Sequence, residues 1–489
     1  MDIKNIVGLD CGNSSFRVVL GKYDGKTLET EVIDQTPNGM IRIGEYYYWD
    51  MLRIFEGFIA SLKKAVKRVG KIDSIGICTW GVDFSMFDRQ GNMIGNTLSY
   101  RNPLGEVALN KLTESQKREM FYQTGILCDK INSIYRLSML KDIMPDMFSI
   151  ADKVLMVPDI LNYFLTGVMI NEPSELSTTQ LMDSKTRKIS PEICKKFNIP
   201  EKLFCEIGEH GKQIGKVQKY ILDEIEADYD IPVICVPSHD TASAVVAIPA
   251  REKDFVFISS GTWSLIGTET DEPYINDDIL NASLTNELGA FNKITLLKNS
   301  AGMFIIQRVK KEYDAKMNRA STWDELNELG AHYKGPTLLF NVNNIRFFNP
   351  PKMCEAIWNY LIETNQVQGM LDWGAIIRAI NESMACSYAV TVKQLERSVS
   401  KRFSSIYIAG GGSKNIMVNR LTAQRTGKPV YACSSESTVL GNIASQLKAI
   451  YKEMDLPQIR EVIGNSISIN EYREALEGAD VVERYEQMP

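Results

Sequence analysis

The chain has 489 residues, of which 44% are hydrophobic, and carries a formal net charge of −6 with a pI near 5.5. This length allows two or three domains with a large apolar core. Lysines and arginines are spread without a long basic run, so the composition does not suggest a nucleic-acid partner. No apolar run approaches the roughly 18 residues of a membrane span, and the start lacks a signal-peptide pattern. We therefore expect a cytoplasmic protein without a membrane partner.

The nine cysteines are irregularly spaced, and no two form a Cys-x-x-Cys pair. This pattern predicts neither a zinc site nor a redox pair. We expect reduced thiols that are mostly buried.

The chain opens with a predicted β-hairpin. Residues 6–9 and 16–20 are β-rich, and a small polar turn from Gly12 to Ser15 separates them. Such a turn can direct several backbone N–H groups at a phosphate, and Asp10 before it can orient a hydrated Mg²⁺. An ordinary polar hairpin turn has the same composition, so both interpretations stay open.

Three further elements follow. A strand is predicted at 28–33, a helix at 51–69 from the helical spacing of its apolar residues, and a strand at 72–78. The last strand ends in Thr-Trp-Gly-Val-Asp-Phe at 79–84. Its aromatic and glycine residues suit packing against a sugar, but core packing explains Trp80 and Phe84 equally well.

The apolar strand at 232–236 leads into Ser238, His239 and Asp240. Polar groups after an apolar strand are typical ligand groups of α/β sheets, and a carboxylate there can accept a hydroxyl proton. Three consecutive side chains cannot form a Ser–His–Asp relay. Asp240 also suits the N-cap of a following helix. The other two histidines, His210 and His332, lie in polar sequence typical of loops.

The opening pattern recurs in residues 255–267, where Gly12 falls on Gly261, Asn13 on Thr262 and Ser15 on Ser264. The offset of these pairs is about half the chain. This repeat predicts two duplicated α/β domains, at 1–249 and 250–489.

The second half ends its core with a predicted strand at 405–409, three glycines at 410–412 and a helix at 415–426. Glycines between a strand and a helix let a flat or anionic ligand approach the backbone. A tight strand–helix connection explains them equally well. The charged tail at 471–489 is predicted to be a helix with a loose tip.

Together these motifs resemble the FGGY carbohydrate kinases, and within that family the L-rhamnulokinases. The matching segments occur in family order across nearly the whole chain. They are residues 79–84, 238–245, 259–265, 297–299, 307–309, 346–350 and 410–412. The resemblance implies an α/β fold of two duplicated actin-like ATPase (ribonuclease-H-like) domains flanking a central cleft. The first would bind sugar and phosphate, and the second nucleotide.

The resemblance also implies an activity: ATP-dependent phosphorylation of the carbon-1 hydroxyl of a 6-deoxyketohexose, with L-rhamnulose the first choice. L-Fuculose, xylulose or ribulose kinases, and a non-catalytic sugar-sensing protein, are the alternatives. The ligands would be a small-molecule sugar, ATP and Mg²⁺, and the chain would be a monomer or a homodimer. The chain departs from the rhamnulokinase turn at Asn13 and Phe16, where that turn carries a small residue and a second glycine.

Matching motifs residue by residue implies a set of roles. Asp240 would be the catalytic base, and Asp10 would lie near the metal. The expected ATP contacts are Asn13, Ser14, Ser15, Phe16, Arg17, Thr262, Gln307 and Gly411. The expected sugar contacts are Gly81, His239, Thr241 and Asn299.

Overall fold

A computed structural model describes residues 2–488 as a mixed α/β structure. Its strands are β1 Lys4–Cys11, β2 Ser15–Tyr23, β3 Leu28–Pro37, β4 Ile41–Ile43, β5 Tyr46–Trp49, β6 Ser74–Thr79, β7 Phe84–Phe87, β8 Met93–Ile94, β9 Thr97–Leu98, β10 Lys153–Met156, β11 Met182–Asp183, β12 Lys188–Ile189, β13 Gln213–Lys216, β14 Pro232–Ile234, β15 Phe255–Ser260, β16 Trp263–Thr270, β17 Thr285–Leu288, β18 Ile294–Ala301, β19 Ser405–Ala409, β20 Val430–Ala432 and β21 Asn470–Tyr472.

Its α-helices are α1 Met51–Val69, α2 Leu104–Leu109, α3 Glu114–Thr124, α4 Ser133–Ile143, α5 Pro145–Ile150, α6 Val157–Thr166, α7 Pro173–Ser177, α8 Pro191–Lys196, α9 Lys219–Glu224, α10 Asp240–Val246, α11 Asp277–Asn281, α12 Phe304–Met317, α13 Trp323–His332, α14 Met353–Glu363, α15 Trp373–Ser398, α16 Ile416–Thr426, α17 Ser437–Ser445, α18 Leu447–Ile450, α19 Leu456–Ser466 and α20 Ala479–Glu486. Short 3₁₀ helices span Glu201–Leu203, Ala290–Asn292, Ile345–Phe347 and Gly411–Lys414.

The chain folds into two compact units. The first comprises the residues up to 251 together with 269–296 and 437–467. The second comprises 252–268, 297–436 and the residues from 468 onward. The predicted boundary at residue 249 concerns family domains rather than compact units, and it stays a prediction.

Helix α17 shows why a late segment belongs to the first unit. A Cβ on Gly441 would overlap the carbonyl oxygen of Ser243 in α10, so the two helices pack backbone to backbone. The side-chain amide of the next residue, Asn442, donates to the carbonyl oxygens of Leu9 and Gly76, each at 3.1 Å. These bonds satisfy buried polar groups and tie α17 to the first sheet.

The first unit contains a six-stranded sheet in the order β13-β14-β6-β1-β2-β3. β1 pairs antiparallel with β2, as the hairpin prediction required, and parallel with β6, which is itself parallel to β14. Helix α1 has the predicted bounds and buries Ile54, Phe58 and Leu62 in the core beside this sheet. Each fully buried side chain of this size contributes about 1.5–3 kcal/mol.

Six strands of the other large sheet repeat this plan in the order β18-β16-β15-β19-β20-β21. β15 pairs antiparallel with β16 and parallel with β19, and β19 is parallel to β20. In each sheet the strand at one edge runs antiparallel to its neighbour: β13 to β14 in the first sheet and β21 to β20 in the second. The equivalent strand order confirms the duplication that the sequence repeat predicted.

The two hairpins differ in the length of their turns. Cys11 lies opposite Phe16 in the first, whereas Ser260 lies opposite Ser264 in the second. The second turn is therefore one residue shorter. The predicted match of Ser15 with Ser264 was wrong for this reason: Ser264 corresponds in register to Phe16.

All nine cysteines are free and seven are buried, as expected. The tail forms β21 and α20 rather than a single helix. Within residues 2–488, no helix is both long enough and apolar enough to span a membrane.

Candidate active site

Three strand ends of the first unit bring the predicted sugar-site residues together. In the parallel pair β1/β6, Asp10 lies beside Cys78. Thr79 then forms a parallel bridge with His239, and its N–H donates to the carbonyl of Ser238 at 2.8 Å. Polar residues therefore gather at the carboxyl edge of the sheet, where α/β sheets bind ligands.

Asp240 is the first residue of α10 and does not cap it. The N-cap is His239, whose side chain makes no capping bond, so the interpretation of Asp240 as the cap was wrong. The Asp240 side chain is 46% exposed. Its Oδ1 accepts from the Thr241 hydroxyl at 3.1 Å and lies 3.4 Å from His239 Nε2. A half-exposed carboxylate with a single hydrogen-bond donor and one neighbouring imidazole is free to accept a proton.

His239 lies between two carboxylates. Its Nδ1 is 3.2 Å from Glu287 Oε2, and its Nε2 faces Asp240. Burial of the ring favours the neutral form, but Glu287 and then Asp240 outweigh burial and raise the pKa of His239 to about 9. The imidazole is therefore cationic at neutral pH.

Sequence reasoning missed Glu287. It lies on β17, 48 positions after His239, and no local motif connects the two (287 − 239 = 48). The one available signal was the alternating burial expected of the short strand Thr285–Leu288, which places Glu287 on the less buried face.

Gly81 fits against His239 because it has no side chain. A Cβ there would lie 3.0 Å from Thr178 Cγ2 and 3.1 Å from His239 Nε2. The next residue, Val82, has a φ of 70°, which is strained for a β-branched side chain. Its N–H donates to the Thr178 hydroxyl at 3.0 Å, and its carbonyl accepts from Ser133 at 2.5 Å. These bonds hold a strained backbone beside the predicted sugar contact.

A buried ion pair supports this segment. Asp83 pairs with Arg136, and both side chains are almost fully buried. Asp83 also accepts from the indole N–H groups of Trp49 at 2.6 Å and Trp80 at 2.9 Å. Burial raises the pKa of Asp83 despite these partners. Trp80 and Phe84 are buried, so core packing is the correct interpretation of both aromatic residues.

A second buried histidine lies behind the site. His210 lies in a turn, as the sequence predicted, but its side chain is buried and contacts the Glu172 carboxylate. Ser174 connects this pair to the site. Its hydroxyl donates to Glu172 at 2.6 Å and accepts from the backbone N–H of His239 at 3.0 Å. The other histidine, His332, is exposed at the end of α13.

The first turn presents Asn13 and Ser14 to solvent. The Gly12 N–H donates to the Ser15 carbonyl at 2.9 Å and closes the turn. Arg17 pairs with Asp10 across the hairpin. These residues suit an anionic ligand, because an exposed turn and a guanidinium lie next to each other.

Phe16 belongs to the core of the first unit. Its side chain is buried, and a Cβ on Gly57 of α1 would lie 2.5 Å from the ring. Only the main chain of Phe16 is therefore available for an ATP contact.

The second turn supports the start of α12. The Gly261 N–H donates to the Trp263 carbonyl at 2.8 Å, and the Phe304 N–H donates to the Thr262 carbonyl at 3.3 Å. Thr262 is exposed at this turn, and Gln307 is exposed on the first turn of α12. Two predicted ATP contacts thus belong to one hairpin–helix junction of the second unit.

The three glycines at 410–412 have different surroundings. Gly410 has a φ of 79° and a Cβ there would lie 2.8 Å from the Ser260 carbonyl oxygen, while a Cβ on Gly412 would overlap the Ser260 side chain. These two glycines serve a tight connection. Gly411 is exposed, and a Cβ there would meet no atom within 4 Å. Asn299, the remaining predicted sugar contact, is exposed on β18 of the second unit.

Curated proteins resemble this chain over nearly its whole length. The curated rhamnulokinase of Oceanobacillus iheyensis is 34% identical over 469 residues, which cover 95% of this chain and 97% of the relative. The rhamnulokinase of Bacillus subtilis is 33% identical over 485 residues, covering 98% and 97%.

Solved structures show the same fold. A gluconate kinase from Lactobacillus acidophilus superimposes with a TM-score of 0.81 at 17% identity, over 99% of this chain and 96% of that one. Plasmodium falciparum glycerol kinase with ADP superimposes with a TM-score of 0.80 at 15% identity, over 99% and 96%. The fold is thus the two-domain actin-like, ribonuclease-H-like one.

Family models give the last comparison. The N-terminal domain of the FGGY carbohydrate kinases matches residues 5–247, and their C-terminal domain matches residues 256–450. Together with the duplicated sheets and the polar strand ends, these matches show that the chain belongs to the FGGY family of carbohydrate kinases.

Proposed function

We propose that this carbohydrate kinase transfers the γ-phosphoryl group of ATP to the carbon-1 hydroxyl of L-rhamnulose. The choice of sugar is supported by the relatives named rhamnulokinases, which are 31–34% identical over most of the chain. The choice of chemistry rests on one observation: Asp240 presents a half-exposed carboxylate beside a cationic His239 and the bare backbone of Gly81.

In the proposed reaction the Asp240 carboxylate takes the proton of the sugar hydroxyl. The hydroxyl oxygen attacks the γ-phosphorus, the bond from phosphorus to the bridging oxygen breaks, and ADP leaves with the electron pair. His239 and Thr241 flank Asp240 and would hold neighbouring sugar hydroxyls, with Gly81 and Asn299 as further contacts. Correct placement of the hydroxyl accounts for much of the rate enhancement expected of such a site.

Each of the two turns carries predicted ATP contacts. The first contributes Asn13 to Arg17, of which Phe16 offers only its main chain; the second contributes Thr262. Gln307 and Gly411 would contact the rest of the nucleotide. The open surface over Gly411 supports this assignment, since nothing in the protein fills the space a side chain would occupy.

Mg²⁺ would accompany the phosphates and neutralise their charge. In residues 2–488 no group of three or more His, Cys, Asp or Glu side chains could hold a metal unaided. Asp10 is mostly buried and contacts Arg17 through Oδ2, so its carboxylate suits a metal held mainly by ATP and water.

A panel of sugars tests the proposal. ADP release is measured with the purified chain on L-rhamnulose, L-fuculose, both enantiomers of xylulose and ribulose, and glycerol. We expect L-rhamnulose to have the highest kcat/KM, by roughly tenfold or more, because a site that hydrogen-bonds sugar hydroxyls rejects those in the wrong configuration. A higher kcat/KM for another sugar would replace L-rhamnulose as the substrate. ADP release that no sugar stimulates would contradict the proposal altogether.

A further inference from the structure

Glu287 occupies a position that the catalytic roles above leave unexplained. Its side chain is 17% exposed, and its Oε2 lies 3.2 Å from Nδ1 of His239, whose side chain is 12% exposed. A charged carboxylate this far from water is costly unless a cation pairs with it. Here that cation is the His239 imidazolium, so the two residues form one unit.

We propose that Glu287 is a positioning residue for the sugar: it holds Nδ1–H of His239 so that Nε2–H points at the surface formed by Gly81 and Asp240. This inference rests on the proposed function, because it assigns His239 to the sugar. A histidine that donates from both nitrogens must be doubly protonated. Without the carboxylate a larger fraction of the ring would be neutral, with its single N–H shared between the Nδ1 and Nε2 tautomers, so donation from Nε2 to a sugar oxygen would weaken.

Acidic residues from three elements surround His239 and favour its protonated form. Glu287 approaches from β17, Asp240 from α10 and Glu172 from the start of α7, and all three raise the pKa of the imidazole. Glu175 of the same short helix is fully buried, and burial raises its pKa well above the usual range. The backbone N–H of His239 donates to the Ser174 hydroxyl at 3.0 Å, which helps to fix the main chain that carries the ring.

An NMR titration of His239 tests the arrangement without an activity measurement. The chain has only three histidines, so their ring signals can be followed by NMR and His239 assigned with a His239→Gln variant. In Glu287→Gln, which keeps the shape but not the charge, we expect the His239 pKa to fall by about 1 to 2 units. Glu287→Asp should restore most of the shift. An unchanged pKa in Glu287→Gln would overturn the proposal.

Kinetics distinguish positioning from a loss of structure. At pH 8, we expect Glu287→Gln to raise the KM for L-rhamnulose about two- to tenfold, the range that a pKa fall of about 1 to 2 units gives, while the KM for ATP stays within about twofold. At pH 6, where the imidazole is protonated in both proteins, the difference should largely disappear. Equal KM increases at both pH values would contradict the role of charge.

Glu209→Gln is the matched control, since it removes a carboxylate of the same unit that pairs with Lys212 on the surface. It should change neither the His239 titration nor either KM. The two proposals fail separately. A wild-type chain that phosphorylates no sugar refutes the proposed function, whereas the titration still decides whether Glu287 holds His239.

Discussion

The two hairpins at the starts of the large sheets share a backbone plan but not a chemistry. In the first, Asp10 lies opposite Arg17 and pairs with it. In the second, the corresponding positions carry Ser259 and Leu265. Duplication thus preserved the strand order while the charged groups stayed in one copy. In the proposed reaction the first unit provides the base Asp240 and the turn from Asn13 to Arg17, and the second provides Thr262, Gln307 and Gly411 for the nucleotide.

The largest expected effect comes from the first unit. Asp240→Asn removes the proposed base but keeps the size of the side chain. We expect kcat to fall about 10³-fold, within the range for loss of a general base, while the dissociation constant for L-rhamnulose changes less than about threefold. Steady-state kinetics and calorimetry measure the two quantities.

Asp223→Asn is the control for that substitution, because Asp223 pairs with Lys219 on the surface of the same unit. It should leave kcat unchanged. Near-normal turnover in Asp240→Asn would show that another group accepts the proton.

The second effect concerns pH and stability. His239 has a folded pKa of about 9 against an unfolded value of about 6.5, so its charge stabilises the fold fully below about pH 6.5. That contribution declines as pH rises and is lost above about pH 9, a change of about 3 kcal/mol at most. Urea denaturation between pH 6 and pH 10 should show this loss in the wild type and in His332→Gln. The decline should be absent or much smaller in His239→Gln; an identical decline there would refute the assignment.

The third effect separates two glycines of the second unit. A Cβ at Gly412 overlaps Ser260, so Gly412→Ala should lower the free energy of unfolding by about 2 kcal/mol. Gly411→Ala should leave stability unchanged, because its Cβ meets nothing, and should raise the KM for ATP if the nucleotide lies there. Equal losses of stability in both variants would mean that Gly411 is also part of the packing.

The smallest effect compares the hairpins directly. Arg17→Met removes the guanidinium that pairs with Asp10, and we expect a loss of about 1 to 2 kcal/mol in unfolding free energy. Leu265→Met at the corresponding position of the second hairpin replaces one apolar side chain with another of similar volume and should cost less than about 1 kcal/mol. Equal values would indicate that the ion pair adds nothing beyond its packing.

Local patterns predicted much of this molecule. The helix Met51–Val69 has its predicted bounds because apolar residues recur at helical spacing and Gly70, with a φ of 76°, ends it. Both hairpins and the strand–glycine–helix segment near residue 410 were also predictable. In each case the signal lies within a few consecutive residues.

Long-range partners were not predictable in this way. Glu287 meets His239 only because β17 returns to the first unit, and the burial of His210 depends on Glu172, 38 positions earlier in the chain. Phe16 stays a predicted ATP contact through its main chain, while alternation along β2 directs its side chain into the core. Periodicity reports which face of an element is buried, and not what it is buried against.

The most direct test is the position of the phosphate in the product. The chain is incubated with ATP, Mg²⁺ and L-rhamnulose, and the product is examined by a two-dimensional ³¹P–¹H correlation spectrum. A sugar kinase with Asp240 as base for the carbon-1 hydroxyl predicts a phosphorus signal coupled to the two carbon-1 methylene protons. A phosphorus signal coupled to any other sugar proton, or only inorganic phosphate, would contradict it.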